Sequence, residues 1–436
     1  MRYPTYPEYK DSEVEWLGGV PSHWKLIQIK RLSMVARGAS PRPIADPKYF
    51  DDNGEYAWVR ISDVTASGMY LQKTTQILSE LGASYSVKLS PGELFLSIAG
   101  SVGKPCITGI KACIHDGFVY FPYLKENRKF LYYLFEGGEA YRGLGKMGTQ
   151  LNLNTDTVGW IKIGLPPKIE QEQIAAFLDR ETAVIDQLIA KQEELIQLLQ
   201  EKRQAVISTA VTKGLNPHVP MKDSGIEWLD QIPAHWELPK LIQRTSRIGD
   251  GLHSTPDYQD ETGYYFVNGN NLSDGEIVIG STAKEVPEEE YSKHYIHLDH
   301  NSVLLSINGT IGNVALYRGE KIILGKSAAY INCHPEISPQ YLRFYLQSNQ
   351  LKHYYDLEVT GTTIFNLSLN SIRQMKVCIP PPNEQNEISN YCVHQKAKYE
   401  KLVEKAKLAI ELLKERRTAL ISAAVTGKID VRQQSI

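Results

Sequence analysis

Two loops in this chain of 436 residues have a composition that could hold a phosphate. Ser97-Ile-Ala-Gly-Ser-Val-Gly-Lys104 aligns with Ser306-Ile-Asn-Gly-Thr-Ile-Gly-Asn313. In each, an apolar run enters a loop with glycines three positions apart and a hydroxyl between them. Such a loop brings backbone N–H groups close to an anion, and a nucleic-acid phosphate would suit it. A tight turn between two strands fits the same residues. A second pair is Gly148-Thr-Gln-Leu-Asn-Leu153 and Gly361-Thr-Thr-Ile-Phe-Asn-Leu367, the latter one residue longer. Its small hydroxyl and amide side chains could meet sugar–phosphate or base edges, or could lead by a turn into a last strand. Gly319-Glu-Lys-Ile-Ile-Leu-Gly-Lys-Ser327 is not a nucleotide phosphate loop, because five residues separate its glycines where four are required.

Catalytic signatures are missing from the sequence. It contains no H-E-x-x-H, no G-x-S-x-G, no dinucleotide fingerprint before a helix and no deaminase P-C-x-x-C. Pro256-Asp257 with Glu261 only echoes a nuclease acid pair, and the acidic run Glu285–Glu290 reads as a solvated helix start. The five cysteines, Cys106, Cys113, Cys333, Cys378 and Cys392, are odd in number and form no C-x-x-C, which argues against a disulfide framework or a zinc site. No metal site is expected. With no apolar signal core or membrane-length stretch, the chain is expected to be soluble and cytoplasmic.

The elements that position these loops come in two sets. Asp11-Ser-Glu-Val-Glu-Trp-Leu17 and Pro21-Ser-His-Trp24 recur as Asp223-Ser-Gly-Ile-Glu-Trp-Leu229 and Pro233-Ala-His-Trp236, 212 positions on. Trp16, Trp24, Trp228 and Trp236 read as core anchors, and His23 and His235 as packed or capping residues. Between these openings and the prolines at Pro166 and Pro380, short apolar runs are broken by Gly, Pro, Asn and Asp, the pattern of strands. Strands are expected at 56–61, 93–98, 118–121 and 160–165, then at 264–267, 302–307, 328–331 and 375–379. Helices are expected near 128–142 and 339–352. The two blocks match at their ends, while 38–92 and 249–301 share little, which suggests one kind of binding done against two targets.

Each block feeds a long helix. Pro166-Pro-Lys-Ile-Glu-Gln171 returns as Pro380-Pro-Pro-Asn-Glu-Gln385, 214 positions later. Glu170 and Glu384 put negative charge in the first turn, and Gly214 and Gly427 can close the far ends. Apolar residues at Ile174, Leu178, Ile185, Leu188, Leu195, Leu199 and Val206 make a heptad seam. Ile388, Cys392, Tyr399, Leu402, Ala409, Leu413 and Leu420 repeat it in register with weaker residues. Ten of fifteen residues in 198–212 recur at 412–426. A rod of roughly 60 Å follows from the helical rise, and an intramolecular antiparallel helix pair is the economical partner arrangement. The expected class is α+β: strand-rich mixed domains at 1–168 and 214–382, joined by spacer helices at 169–213 and 383–430 with internal pseudo-twofold symmetry. Net charge is only −2, with 13 basic and 19 acidic residues in 214–382, so any DNA-binding face must be local.

Taken together, the doubled Asp-Ser-x-x-Glu-Trp-Leu…Pro-x-His-Trp, Gly-Thr-(Gln/Thr), Pro-Pro-x-x-Glu-Gln and Ala-Val-Thr segments resemble the specificity subunit of a type I restriction–modification system over the whole chain. The resemblance implies a non-catalytic protein whose two target-recognition domains each read one half of a bipartite double-stranded DNA site. It also implies partners: two methyltransferase (modification) subunits that use S-adenosylmethionine to methylate adenine, and two restriction subunits that add ATP- and Mg2+-dependent cleavage. No cofactor is expected on this chain. A modification-only complex without nuclease, or a scaffold that does not bind DNA, remains the alternative. Base and phosphate contacts are expected from polar residues in the divergent interiors. In the first domain these are Arg37, Arg42, Arg60, Lys104, Lys146 and Gln150. In the second they are Arg247, His253, Asn268, Asn270, Asn308, Lys326 and Thr362.

Overall fold

A computed structural model describes residues 3–141, 153–280, 282–360 and 365–432. The chain divides into two compact units, residues 1–192 with 408–436, and residues 193–407. Lys146, Gln150 and Thr362, with most of both Gly-Thr loops, lie outside the described residues.

In the first unit a five-stranded sheet has the order Ala36–Arg37, Phe118–Tyr120, Leu94–Ser97, Pro105–Thr108, Tyr70–Leu71. A four-stranded sheet has the order Gln76–Leu78, Tyr56–Val59, Ala112–Ile114, Val87–Leu89. The second unit repeats the frame. Thr245–Asp250, Ala328–Cys333, Ser302–Ser306 and Val314–Leu316 form one sheet, and Lys284–Glu285, Tyr265–Val267 and Ile322–Leu324 the other. In both units the second sheet carries a parallel pair, Ala57 beside Ala112 and Phe266 beside Ile323. The central strands are buried on both faces, which explains their unbroken apolar runs.

Differences from the expected elements have local causes. Trp160 ends a helix, Thr155–Trp160, and the strand starts at Lys162. Asn154 opens that helix by accepting from the Asp156 and Thr157 amides. The helix near 339–352 is two, Pro339–Leu346 and Asn349–Glu358. Ser348 breaks it, its Oγ accepting from Leu351 N at 3.3 Å as an N-cap. Residues 375–379 pair only through isolated bridges, at Lys376 and Ile379.

The long helices run Lys168–Lys213 and Pro382–Val425, and each ends at a glycine in the left-handed region, Gly214 at φ +77° and Gly427 at φ +72°. Their first turns are anchored alike. The Gln171 amide accepts from Asn127 N and donates to Pro166 O; Gln385 accepts from Ser338 N and donates to Pro380 O. The doubled Glu-Gln therefore stitches each helix start to its own domain.

Within each unit the start of one long helix runs antiparallel to the end of the other. In the first unit Ile174, Phe177, Leu178 and Ile185 share a core with Leu420, Ile421, Ala424 and Val425. In the second, Ile388 and Cys392 share one with Ile207, Ala210 and Val211, and these last three are the counterparts, 214 positions back, of Ile421, Ala424 and Val425. Each fully buried Ile or Val contributes about 1.5–3 kcal/mol. The ion pairs repeat as well. Arg417 Nε meets Asp186 Oδ1 at 2.9 Å, and Arg203 Nη1 meets Glu400 Oε1 at 3.5 Å, the same pair shifted by 214.

The buried stripe is not the heptad seam throughout. Leu188, Leu195 and Leu402 are exposed at 41, 41 and 38%. The sheltered positions after Ile185 are Ile189, Gln192, Ile196 and Leu199. Both registers are apolar in the sequence, and period alone does not choose between them; contact with the partner helix does. Ile174, Leu178, Ile388, Cys392 and Leu420 are buried, and Leu199, Val206, Tyr399, Ala409 and Leu413 are half-buried.

Candidate nucleic-acid interface

The glycine loops at 97–104 and 306–313 are tight turns between antiparallel strands. Ser97 N donates to Lys104 O at 3.0 Å and Gly103 N to Ser97 O at 2.8 Å; Ser306 N donates to Asn313 O at 2.8 Å and Gly312 N to Ser306 O at 3.0 Å. Gly100, Gly103, Gly309 and Gly312 all have positive φ. Two of the donors an anion would need are thus consumed in each turn. A Cβ on Gly103 would meet the Tyr141 ring at 2.8 Å, so this glycine serves packing.

A more coherent site forms where four loops meet at one end of the sheets in the first unit. Arg37 ends its strand and is exposed, donating from Nε to Asp116 O. Arg42 follows, 81% exposed, with Nη2 3.4 Å from Asp116 Oδ2, and Ser40 Oγ donates to Asp116 Oδ1 at 3.1 Å. Arg60 opens the helix Ile61–Ala66: its amide donates to Asp63 Oδ2 at 2.9 Å and its guanidinium reaches Gln76. His115, beside Asp116, packs at a tilt against Trp58 and Phe118, with ring centres 5.8 and 4.6 Å away. Burial holds its imidazole below the usual pKa; Asp116 opposes this and Arg60 adds to it. The result is an exposed arginine trio whose positions are fixed by one aspartate and one glutamine. Guanidinium forks of this kind suit guanine edges and phosphates. Lys104 is not part of this cluster. Its Nζ donates to Thr65 O at 3.2 Å, and it lines a cavity with Glu136 and Arg417.

The second unit builds the same corner from different residues. Asn268 replaces Arg60, and Asn271 replaces Asp63 in accepting from its amide at 3.0 Å. Asn268 Oδ1 accepts from Ser327 Oγ at 3.0 Å, and Ser327 Oγ accepts from Gly269 N at 2.9 Å. Gly325-Lys-Ser327 stands where the first unit has His115-Asp-Gly117, and both stretches bond the sheet alike: Ile98 N to Gly117 O and Ile307 N to Ser327 O. Gly38 and Gly251 are also equivalent. An added Cβ would lie 2.2 Å from His115 O or 2.0 Å from Leu324 O, so both positions exclude a side chain. Lys326 and Asn270 are exposed at this corner. His253, 71% exposed, bonds Asp250 at 2.8 Å, and Asn308 bridges to Asn366. Arg247 is on the strand itself, its guanidinium 5.7 Å from the Tyr330 ring centre, and not at the corner. His115, Asp116 and Ser327 were not among the expected contact residues. No motif marks them, and only the glycines packed beside them, Gly38 and Gly117, give a signal.

No group of side chains suited to a metal occurs among the described residues. All five cysteines are buried and free, and burial pushes the Cys106, Cys333, Cys378 and Cys392 thiols up to about 12 and Cys113 to about 11, which removes them as nucleophiles. No helix among the described residues is long and apolar enough to cross a membrane.

A duplicated α+β frame with two differently furnished polar corners defines a protein built from two related halves that present different side chains at equivalent places. The family model for the type I restriction modification DNA specificity domain matches residues 21–198 and 251–393, and the chain belongs to that family. The "Type I restriction enzyme EcoBI specificity subunit" of Escherichia coli is 26% identical over 275 residues, 61% of this chain and 58% of that protein. A putative type I restriction enzyme MjaX specificity subunit of Methanocaldococcus jannaschii is 23% identical over 454 aligned positions, 99% of both chains. Among solved structures, the HsdS subunit from Thermoanaerobacter tengcongensis matches 94% of this chain and 98% of its own with a TM-score of 0.52 at 15% identity. A chain from a study of assembly and conformational transition of the type I R-M system matches 93 and 98% with a TM-score of 0.68, also at 15% identity. These two likenesses concern the fold.

Proposed function

We propose that the chain supplies the DNA specificity of a type I restriction–modification complex, with each corner reading one half of an asymmetric, split double-stranded site. The observation that carries this is the pairing of Arg60 and His115-Asp116 with Asn268 and Gly325-Lys326 on one shared frame. Equal frames give equal docking on DNA, and unequal side chains give different bases: arginine forks favour guanine, and the Asn268 amide suits adenine. The paired helices set the gap between half-sites, as spacing does in dimeric readers, and receive the methyltransferase subunits. Those partners hold S-adenosylmethionine, and restriction subunits, where present, use ATP and Mg2+. A modest net charge fits a reader whose partners make much of the phosphate contact.

The test is methylation mapping in cells that express the chain with its methyltransferase. Exchanging residues 25–165 for those of another family member should change one half of the modified motif and leave the other half intact. Arg60→Ala should relax that same half, and Asn268→Ala the opposite one. A change in both halves after a single exchange refutes the two-reader model.

A further inference from the structure

The two units close the ends of their helix pairs differently. In the first unit an N-terminal arm fills the groove beside the helices. The Tyr3 ring meets Phe177 edge-on at 5.3 Å, and its hydroxyl donates to Glu181 at 3.3 Å with Arg416 nearby. Tyr6 is buried against Trp24 and donates to Glu170. Asp430 N donates to Pro4 O at 2.8 Å, so the chain beyond the C-terminal helix clamps the arm. Two segments, residues 3–8 and 427–432, thus share this place.

Among the described residues the second unit has one. There the chain passes from Gly214 straight into the strand Met221–Asp223. Shifted by 214, Phe177 becomes Tyr391 and Arg416 becomes Lys202. These two side chains line a cavity of about 640 Å3 with Ala205, Val206, Lys213 and Met221. Phe177 is 1% exposed under Tyr3, whereas Tyr391 is 36% exposed. The aromatic partner and the cation that seat Tyr3 are therefore present in the second unit, where the linker residues Leu215, Asn216 and Pro217 wall the cavity but leave Tyr391 partly exposed.

We propose that this groove in the second unit docks an extended Tyr-Pro segment of a partner protein, seated as Tyr3-Pro4 is seated in the first unit. Its tyrosine ring lies edge-on to Tyr391 with the hydroxyl toward Lys202. The proline holds the segment extended, which lowers the ordering cost of docking. The proposal is independent of how the corners read DNA.

A fluorescent peptide of residues 3–10 of this chain, titrated into the full-length protein and followed by anisotropy, tests it. Saturable binding at one site per chain is expected, weakened roughly tenfold or more by Tyr391→Ala, by Ala205→Trp, which fills the groove from an exposed position, and by Tyr3→Ala in the peptide. Absence of saturable binding overturns the proposal. So does an affinity indifferent to both protein variants, because the peptide would then be replacing the chain's own arm in the first unit.

Discussion

Glu170 and Glu384 hold the same place in the repeat, yet removing them should have unequal costs. The Glu170 carboxylate is 5% exposed and accepts three bonds: Tyr6 OH at 2.5 Å, Trp24 Nε1 at 2.9 Å and His23 Nε2 at 2.8 Å. Tyr6 and Trp24 are buried, so their donors have no water to turn to. Two buried charge-assisted bonds at about 1.5–3 kcal/mol each, with the half-exposed His23 pair adding at most ~1, give an upper figure of about 7 kcal/mol. Shared partners and local relaxation reduce this, and Glu170→Ala is expected to cost about 3–4 kcal/mol. Among the described residues Glu384 bonds His235 alone, at 2.9 Å, and that imidazole is 44% exposed. Trp236 Nε1, the counterpart of Trp24 Nε1, has no acceptor among the described residues. Glu384→Ala should therefore cost about 1 kcal/mol or less. In calorimetry of the full chain the first substitution should lower the melting of its unit by roughly 10 °C and the second by about 3 °C. Hydrogen exchange around residues 20–28 and 232–240 assigns each loss to its unit. Equal shifts, or a larger one for Glu384→Ala, would refute the reasoning.

Arg417 bridges Asp186 and Glu136, and burial raises the Glu136 carboxyl pKa despite the nearby guanidinium. Arg417→Ala removes the ion-pair partner of that buried carboxylate and leaves it only the more distant charge of Lys104, and should cost about 2–3 kcal/mol, whereas Arg203→Ala, facing the 45% exposed Glu400, should cost ~1 or less in urea titrations. His115 titrates below its ordinary 6.5 because it is buried. Between the folded and unfolded values the unfolded chain binds more protons, so this contribution is complete above pH 6.5 and declines as pH falls through the folded value. His115→Gln should flatten that decline in denaturation midpoints measured from pH 7.5 to 5; an unchanged slope would show that His115 is not its source.

Much of this architecture is local and therefore legible in the sequence. Two prolines before each long helix, glutamate in its first turn and glycine past its last turn fix the helix ends, because caps and dipoles act over one turn. The alternation from broken apolar runs to helical period fixed the α+β class, and the doubled Trp-Leu and Glu-Gln segments fixed the repeat. Tertiary structure decided what local pattern leaves degenerate. Leu188 and Ile189 are both strongly apolar, and only packing against the partner helix partly shelters Ile189 and leaves Leu188 exposed. Ile421 and Val425 read as the tail of the last helix, yet they complete the core of the unit that begins the chain. His115, Asp116 and Arg60 are far apart in sequence and meet because a parallel strand pair brings two loop ends together. The same pairing sets Asn268 against Ser327. Periodicity reports on a segment's neighbours one or two turns away, while a recognition corner is made by residues that share only a sheet edge.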